Sequence, residues 1–120
     1  MIKPIDWENT RSIVELGAGT GVFTRYVHEL KHPHCKAVIF ERDREMTRRL
    51  RWLYRGLHYR SRAEDLYPAI RQLGLSEVDC ILSGLPFAVL PRSVRVQVLE
   101  GVVRSLKPGG LFIQFQYSPA

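Results

Sequence analysis

Short apolar runs alternate with amphipathic stretches along the chain, without internal repeats, low-complexity tracts or linkers. "SIVEL" over 12–16 precedes a helical pattern across 20–31. "KAVIFE" over 36–41 precedes a second across 43–54, in which Met46, Leu50, Leu53 and Tyr54 share one face. A short "LHYRS" over 57–61 leads into a third helix, 65–73, that Gly74 terminates. "VDCILSG" over 78–84 is apolar enough for a strand buried on both faces. The fourth helix, 92–106, carries Val94, Val98, Val102 and Leu106 as a stripe and stops at "LKPGG", after which "LFIQFQY" over 111–117 forms a fifth strand.

Strands alternating with helices in this way predict an α/β fold, an open doubly wound Rossmann-like parallel sheet of about five strands in a single domain over 1–120. Such sheets bind ligands beyond the carboxyl ends of their strands, where the strand order reverses. The turn after the first strand lies at that place. It reads "VELGAGTG", with Gly17, Gly19 and Gly21 at alternate positions. Glycines there permit a tight turn and a close approach of backbone to ligand, although a tight connection alone would also explain them. The register is not that of a dinucleotide fingerprint, because the third glycine comes one residue early, and no Gly-Lys-Ser/Thr follows to make a phosphate loop.

Two carboxylates narrow the ligand. Glu41 closes the second strand twenty residues beyond Gly21, where an acid can accept both hydroxyl protons of an adenosine ribose; the alternative is a surface acid paired with Arg42 or Arg44. Glu15 interrupts an apolar strand, which costs desolvation unless a cation or a hydrogen-bond donor meets it, and its side chain is expected to reach the ligand pocket.

Composition adds limits. With 45% hydrophobic and 25% charged residues the chain has the make-up of a folded domain rather than a disordered one. No apolar run approaches the roughly 20 residues of a membrane span, and the first residues lack the pattern of a secretion signal, so a cytoplasmic location is expected. Cys35 and Cys80 fall in different elements without metal-ligand spacing, which leaves reduced thiols. His28, His32, His34 and Cys35 gather in "HELKHPHCK", but Pro33 interrupts them and the stretch reads as a polar helix-to-strand loop; no metal site is expected. The formal charge of +6 resides largely in "RDREMTRRLRWLYRGLHYRSR", a segment that would attract the phosphates of nucleic acid or of an anionic membrane unless it is simply a solvated helix face. Trp7 and Trp52 could sit at a lipid interface or be partly buried.

"VELGAGTGVFTR", the acid in "FERD", "SGLPF" and "LKPGG" together resemble the successive motifs of class I S-adenosylmethionine-dependent methyltransferases, over nearly the whole chain. Within that superfamily "LSGLPF" and the terminal "FIQFQYSP" are most similar to bacterial phospholipid N-methyltransferases, which methylate phosphatidylethanolamine and its partly methylated products. The resemblance implies that Gly17, Ala18, Gly19 and Gly21 line the methionine and ribose portions of S-adenosylmethionine, that Glu15 helps hold its amino group and that Glu41 binds the ribose. S-adenosylhomocysteine would be the product. The family's Gly-Asp-Ala after the third strand is here Ser61, Arg62 and Ala63; Arg62 cannot accept from an adenine amino group, so either Glu64 or Asp65 replaces that acid beside Ala63 or adenine binding is weaker.

The acceptor is read from "SGLPF". Similarity to adenine-N6 methyltransferases would require Asn or Asp at Gly84, so RNA or DNA base methylation is the second reading, with Phe87 either as the stacking aromatic or as simple core packing. Ser83 is also expected to border the cofactor, and backbone carbonyls from Ser83 through Gly84 to Leu85, with Tyr117 by analogy to the family's terminal motif, are the candidates for orienting an amine. The family adds an amphipathic region before the first strand and further elements after the fifth. Without them "LFIQFQY" would be an open apolar edge, from which a homodimer is expected. A third reading is a cofactor-binding remnant or partner subunit without its own activity. Peripheral attachment at the inner face of the membrane would accompany a lipid substrate.

Overall fold

The computed structural model describes residues 5–115. Eleven segments build one five-stranded sheet. The strands are β1 (Ser12–Leu16), β2 (Lys36–Phe40), β3 (His58–Arg60), β4 (Val78–Ser83) and β5 (Leu106–Gln114). Their order is β3-β2-β1-β4-β5 and every pairing is parallel. The order reverses between β1 and β4, so the ends of these two strands flank the crevice that a doubly wound sheet offers to a ligand.

Helices α1 (Val22–Leu30), α2 (Arg44–Leu53), α3 (Leu66–Gln72) and α4 (Arg92–Ser105) cover both faces. Side chains alternate along β1, and the two sides serve separate cores. Ile13, Ile39 and Leu82 pack with Val27 of α1 and Leu50 of α2; Val14, Leu16, Val38, Phe40 and Ile81 pack with Leu66 and Ile70 of α3 and Val98 and Val102 of α4. Burial on both faces explains why β1 is continuously buried. Asp43 caps α2, accepting the Met46 N–H at 3.0 Å.

Three boundaries differ from the sequence expectation. The first helix begins at Val22, because Gly21 is held at φ +92° as its cap. The third helix is preceded by a 3-10 turn over Ala63–Asp65, so that Glu64 and Asp65 precede the α-helix proper. The fifth strand starts at Leu106 opposite Val78, breaks register, and resumes with Leu111 opposite Cys80. Lys107, inside that break, reaches Asp79 at 2.8 Å, and Asp79 also accepts the Arg11 and Ser12 backbone N–H groups. Burial alone would push the Asp79 carboxyl up, but the Lys107 ammonium and the two backbone donors hold it below the usual range. One carboxylate thereby ties together the starts of β1, β4 and β5.

β5 forms one edge of the sheet, and its outer side carries no strand among the described residues. No described helix is long and apolar enough to cross a membrane. Cys35 and Cys80 are both buried free thiols, and burial pushes them up to about 11 and about 12 respectively.

Candidate functional site

The turn between β1 and α1 is shaped by the end of β2. Gly17 and Ala18 donate their N–H groups to the Phe40 carbonyl at 2.8 and 3.1 Å, and Gly84 donates to the Leu16 carbonyl at 2.8 Å. These bonds bring the ends of β1, β2 and β4 together. Gly17 stands at φ +76°, and a Cβ on it would lie 2.8 Å from Leu85 Cδ2, so glycine is required both by the backbone and by the turn facing it. Gly19, at φ +59°, faces open space.

A cleft opens over this junction. Gly17, Gly19, Glu41, Gly84 and Leu85 form its floor and near wall; Ser61, Ala63 and Glu64 form the far end; Phe40, Pro86, Leu90, Val94 and Val98 supply an apolar side. Glu41 is held in place by two backbone donors, with Oε1 accepting from Gly19 at 2.6 Å and Oε2 from Asp43 at 2.8 Å. A carboxylate has about four acceptor positions, so two remain for a diol. Arg42 also borders the cleft. Arg62 turns outward to Asp65 at 3.0 Å and Glu64 at 3.6 Å, which leaves Glu64 as the acid at the far end of the cleft.

Several candidates lie elsewhere. Glu15 does not line the cleft: it is 3% exposed beneath α1 and accepts the Thr24 hydroxyl at 2.7 Å. Its strand position points it into the α1–α2 side of the sheet, and the hydrogen-bond donor that its burial demands comes from the protein itself. Ala18 and Gly21 stand behind the lining, Gly21 against Leu50 and Tyr54. Ser83 is fully buried, its hydroxyl accepting the Leu85 N–H at 3.2 Å. Tyr117 lies outside the described residues.

Of the carbonyls expected to orient an amine, that of Ser83 accepts from Phe115, and that of Leu85 accepts from Phe87 and from the Gln114 amide at 2.8 Å. The Gly84 carbonyl accepts no hydrogen bond among the described residues. Gln114 was not singled out from sequence. It fixes the turn after β4, and its own Oε1 is buried without a partner among the described residues. Val94 and Val98 were expected only as core; they serve both the core and the cleft because the first turns of α4 overhang the sheet end. Among the described residues no three His, Cys, Asp or Glu side chains converge on a common point, and the His32 ring instead accepts the His34 N–H within its loop.

Burial pushes the Glu15 carboxyl up from 4.5 to about 7, the Thr24 bond opposing and the Glu41 charge adding. Between those two values the folded chain keeps a proton that the unfolded chain has released. Stability therefore falls as pH rises through that window, by at most about 3 kcal/mol, and is flat in this respect outside it. Glu15→Gln retains an acceptor for Thr24 and removes the charge. Its urea midpoint should lose this pH dependence and exceed the parent's at pH values above the window; parallel pH profiles for the two proteins would refute the assignment.

A methyltransferase domain model matches residues 13–110, most of the chain. The chain belongs to the methyltransferase domain family. It is 34% identical over 122 residues to an ornithine lipid N-methyltransferase of Singulisphaera acidiphila, the match covering 98% of this chain and 64% of that protein. The chain thus spans under two thirds of the relative's length. An S-adenosylmethionine-dependent methyltransferase of Mesorhizobium loti superposes with a TM-score of 0.68 at 23% identity, covering 92% of this chain and 48% of the other. PKMT2 of Rickettsia typhi, solved in complex with AdoHcy, gives 0.64 at 14% identity, covering 87% and 20%. The fold is that of the class I S-adenosylmethionine-dependent methyltransferases, and S-adenosylmethionine is the family's methyl donor.

Proposed function

We propose that this methyltransferase core transfers a methyl group from S-adenosylmethionine to the primary amine of a membrane-lipid head group. The observation that carries the acceptor class is the 34% identity to an ornithine lipid N-methyltransferase over 98% of the chain. The site is compatible with it. Gly84 puts a bare backbone carbonyl where a base-modifying enzyme of the resembled kind needs a side-chain acceptor.

The cleft fits the cofactor chemically. Glu41 would receive the two ribose hydroxyls while retaining its bonds from Gly19 and Asp43, and Phe40, Leu90, Val94 and Val98 form an apolar slot for a purine with Glu64 at its edge. Gly17 and Gly19 would let the backbone lie against the aminoacyl portion. Bound there, the sulfonium supplies an electrophilic methyl carbon.

The protein's own part is alignment and exclusion of water, because displacement at a methyl carbon needs a collinear approach and a free amine lone pair rather than a strong base. The Gly84 carbonyl, beside the β4 end and unpartnered among the described residues, would accept an N–H of the amine and aim its lone pair. Gln114, by bonding the Leu85 carbonyl, keeps that turn in shape. The N–C bond forms as the C–S bond breaks, and the extra proton of the alkylated amine passes to water.

Incubation with methyl-labelled S-adenosylmethionine and detergent-dispersed lipids provides the test. Label should enter ornithine lipid or phosphatidylethanolamine, the two arms identifying which head group is used, and should be absent from phosphatidylcholine, whose nitrogen is already quaternary. Transfer to RNA but to neither lipid, or cofactor binding with no transfer at all, would overturn the proposal.

A further inference from the structure

The residues from Arg42 to Arg62 contain eight arginines and two acids, while the rest of the chain holds ten basic and ten acidic residues. The whole formal charge of +6 therefore resides in this one segment. The structure wraps it around α2. Arg44, Arg48 and Arg51 recur at helical spacing on the exposed side, and with Arg42 and Arg60 they line a groove that meets the cofactor cleft at Glu41, Arg42 and Ser61. Only Glu45 opposes them along α2, reaching Arg48 at 3.5 Å on an exposed surface where the pair is worth little.

Charge alone would suit any phosphate. Trp52, however, is 71% exposed, and at helical spacing it lies next to Arg48 and Arg49 near the end of α2. Its apolar surface gains nothing from a phosphate and is expensive to leave in water. An arginine-rich helix that presents an indole has the make-up of a helix lying in the head-group region of a bilayer, with guanidinium groups on lipid phosphates and the indole at the acyl boundary. The neighbouring helix α1 packs against the same end of α2, the His28 and Tyr54 rings being 5.4 Å apart, and it too exposes apolar residues, Val22 at 60% and Tyr26 at 39%.

We infer that the arginine-rich outer face of α2, with Trp52 inserted, docks this domain on an anionic phospholipid bilayer. The inference rests on the lipid-acceptor reading, which favours a bilayer over RNA as the polyanion. Docking by this face would hold the mouth of the cofactor cleft beside the head groups, since groove and cleft share Glu41, Arg42 and Ser61.

The test is co-sedimentation with phosphatidylcholine vesicles, with and without phosphatidylglycerol. The full chain should bind the anionic vesicles and not the neutral ones, and raising salt from about 0.1 M to about 1 M should release it. In a Trp7→Phe background, Trp52 emission should shift to the blue on binding. Reversing Arg48, Arg49 and Arg51 to Glu should weaken vesicle binding by at least about 100-fold, each basic residue near the surface contributing about a fivefold factor. Trp52→Ala should weaken it by about tenfold. S-adenosylhomocysteine affinity, measured on the same samples, should be unchanged and shows that the variants fold. Equal binding to neutral vesicles, parent-like binding by the triple variant, or tighter binding to single-stranded RNA than to anionic vesicles would overturn the inference. Methyl transfer to lipid in detergent without vesicle binding would overturn the docking face and leave the acceptor reading standing; vesicle binding without transfer would do the reverse.

Discussion

Glu41→Ala should weaken S-adenosylhomocysteine binding by about 100-fold. Two ribose hydroxyls donating to a carboxylate are charge-assisted bonds, and losing both after competition with water costs about 3 kcal/mol. Stability should change less. The Gly19 and Asp43 N–H groups that Glu41 now receives lie at a partly exposed turn where water can replace it, so a loss of about 1 kcal/mol is expected. Glu41→Gln keeps one acceptor oxygen and should fall between, at about tenfold. Calorimetric titration of the three proteins with S-adenosylhomocysteine reads the difference directly. Equal affinities would remove Glu41 from the ribose site.

Gly21→Ala should destabilise the chain by about 3 kcal/mol, measured by urea unfolding. Two costs combine. At φ +92° an alanine occupies a backbone region that costs it about 1 kcal/mol or more, and its Cβ would lie 2.6 Å from Leu50 Cδ2 and 3.3 Å from the Tyr54 ring. Leu50 is 1% exposed in the core between α2 and the sheet, so it cannot swing aside without displacing neighbours, which adds about 2 kcal/mol. Gly19→Ala is the contrast. Its Cβ meets nothing within 4 Å, so it pays the backbone strain alone, about 1 kcal/mol. A Gly21→Ala protein no less stable than the Gly19→Ala protein would mean that the close packing of α1 on α2 is not as described.

The two predictions separate the two uses of one glycine turn. Gly17 and Gly19 border the cleft, while Gly21 lets α1 lie close on α2. The sequence showed three glycines at alternate positions, explained by a ligand or by a tight connection alone. Spacing does not tell a glycine that clears room for a ligand from one that clears room for a leucine, because both needs are met by the missing Cβ.

The parallel doubly wound sheet and the place of the crevice were legible because each strand carries its own apolar run and the connections leave few topologies; the strand order itself was not read. Glu41 was legible as well, since it ends a run from Ala37 to Phe40 that leaves its backbone at the strand terminus. Glu15 shows where such reading stops. Its burial follows from the strand, but the direction of its side chain depends on which of two faces position 15 occupies, and both faces of β1 are apolar. Thr24, which satisfies it, belongs to a different element. The register break at Lys107 was hidden for a related reason: "KPGG" reads as a stop signal, and only the partner strand shows that pairing begins before it, at Leu106. Gln114 lies within "FIQFQYSP" but has no role of its own there, because what it does depends on the neighbouring β4 turn.

The central claim is that the junction of β1, β2 and β4 forms an S-adenosylmethionine site. Isothermal titration of the chain with S-adenosylhomocysteine tests it most directly. One binding site per chain is predicted, with micromolar affinity and with the heat of binding sharply reduced in Glu41→Ala. Absence of binding up to millimolar ligand, or equal binding by Glu41→Ala, would contradict it.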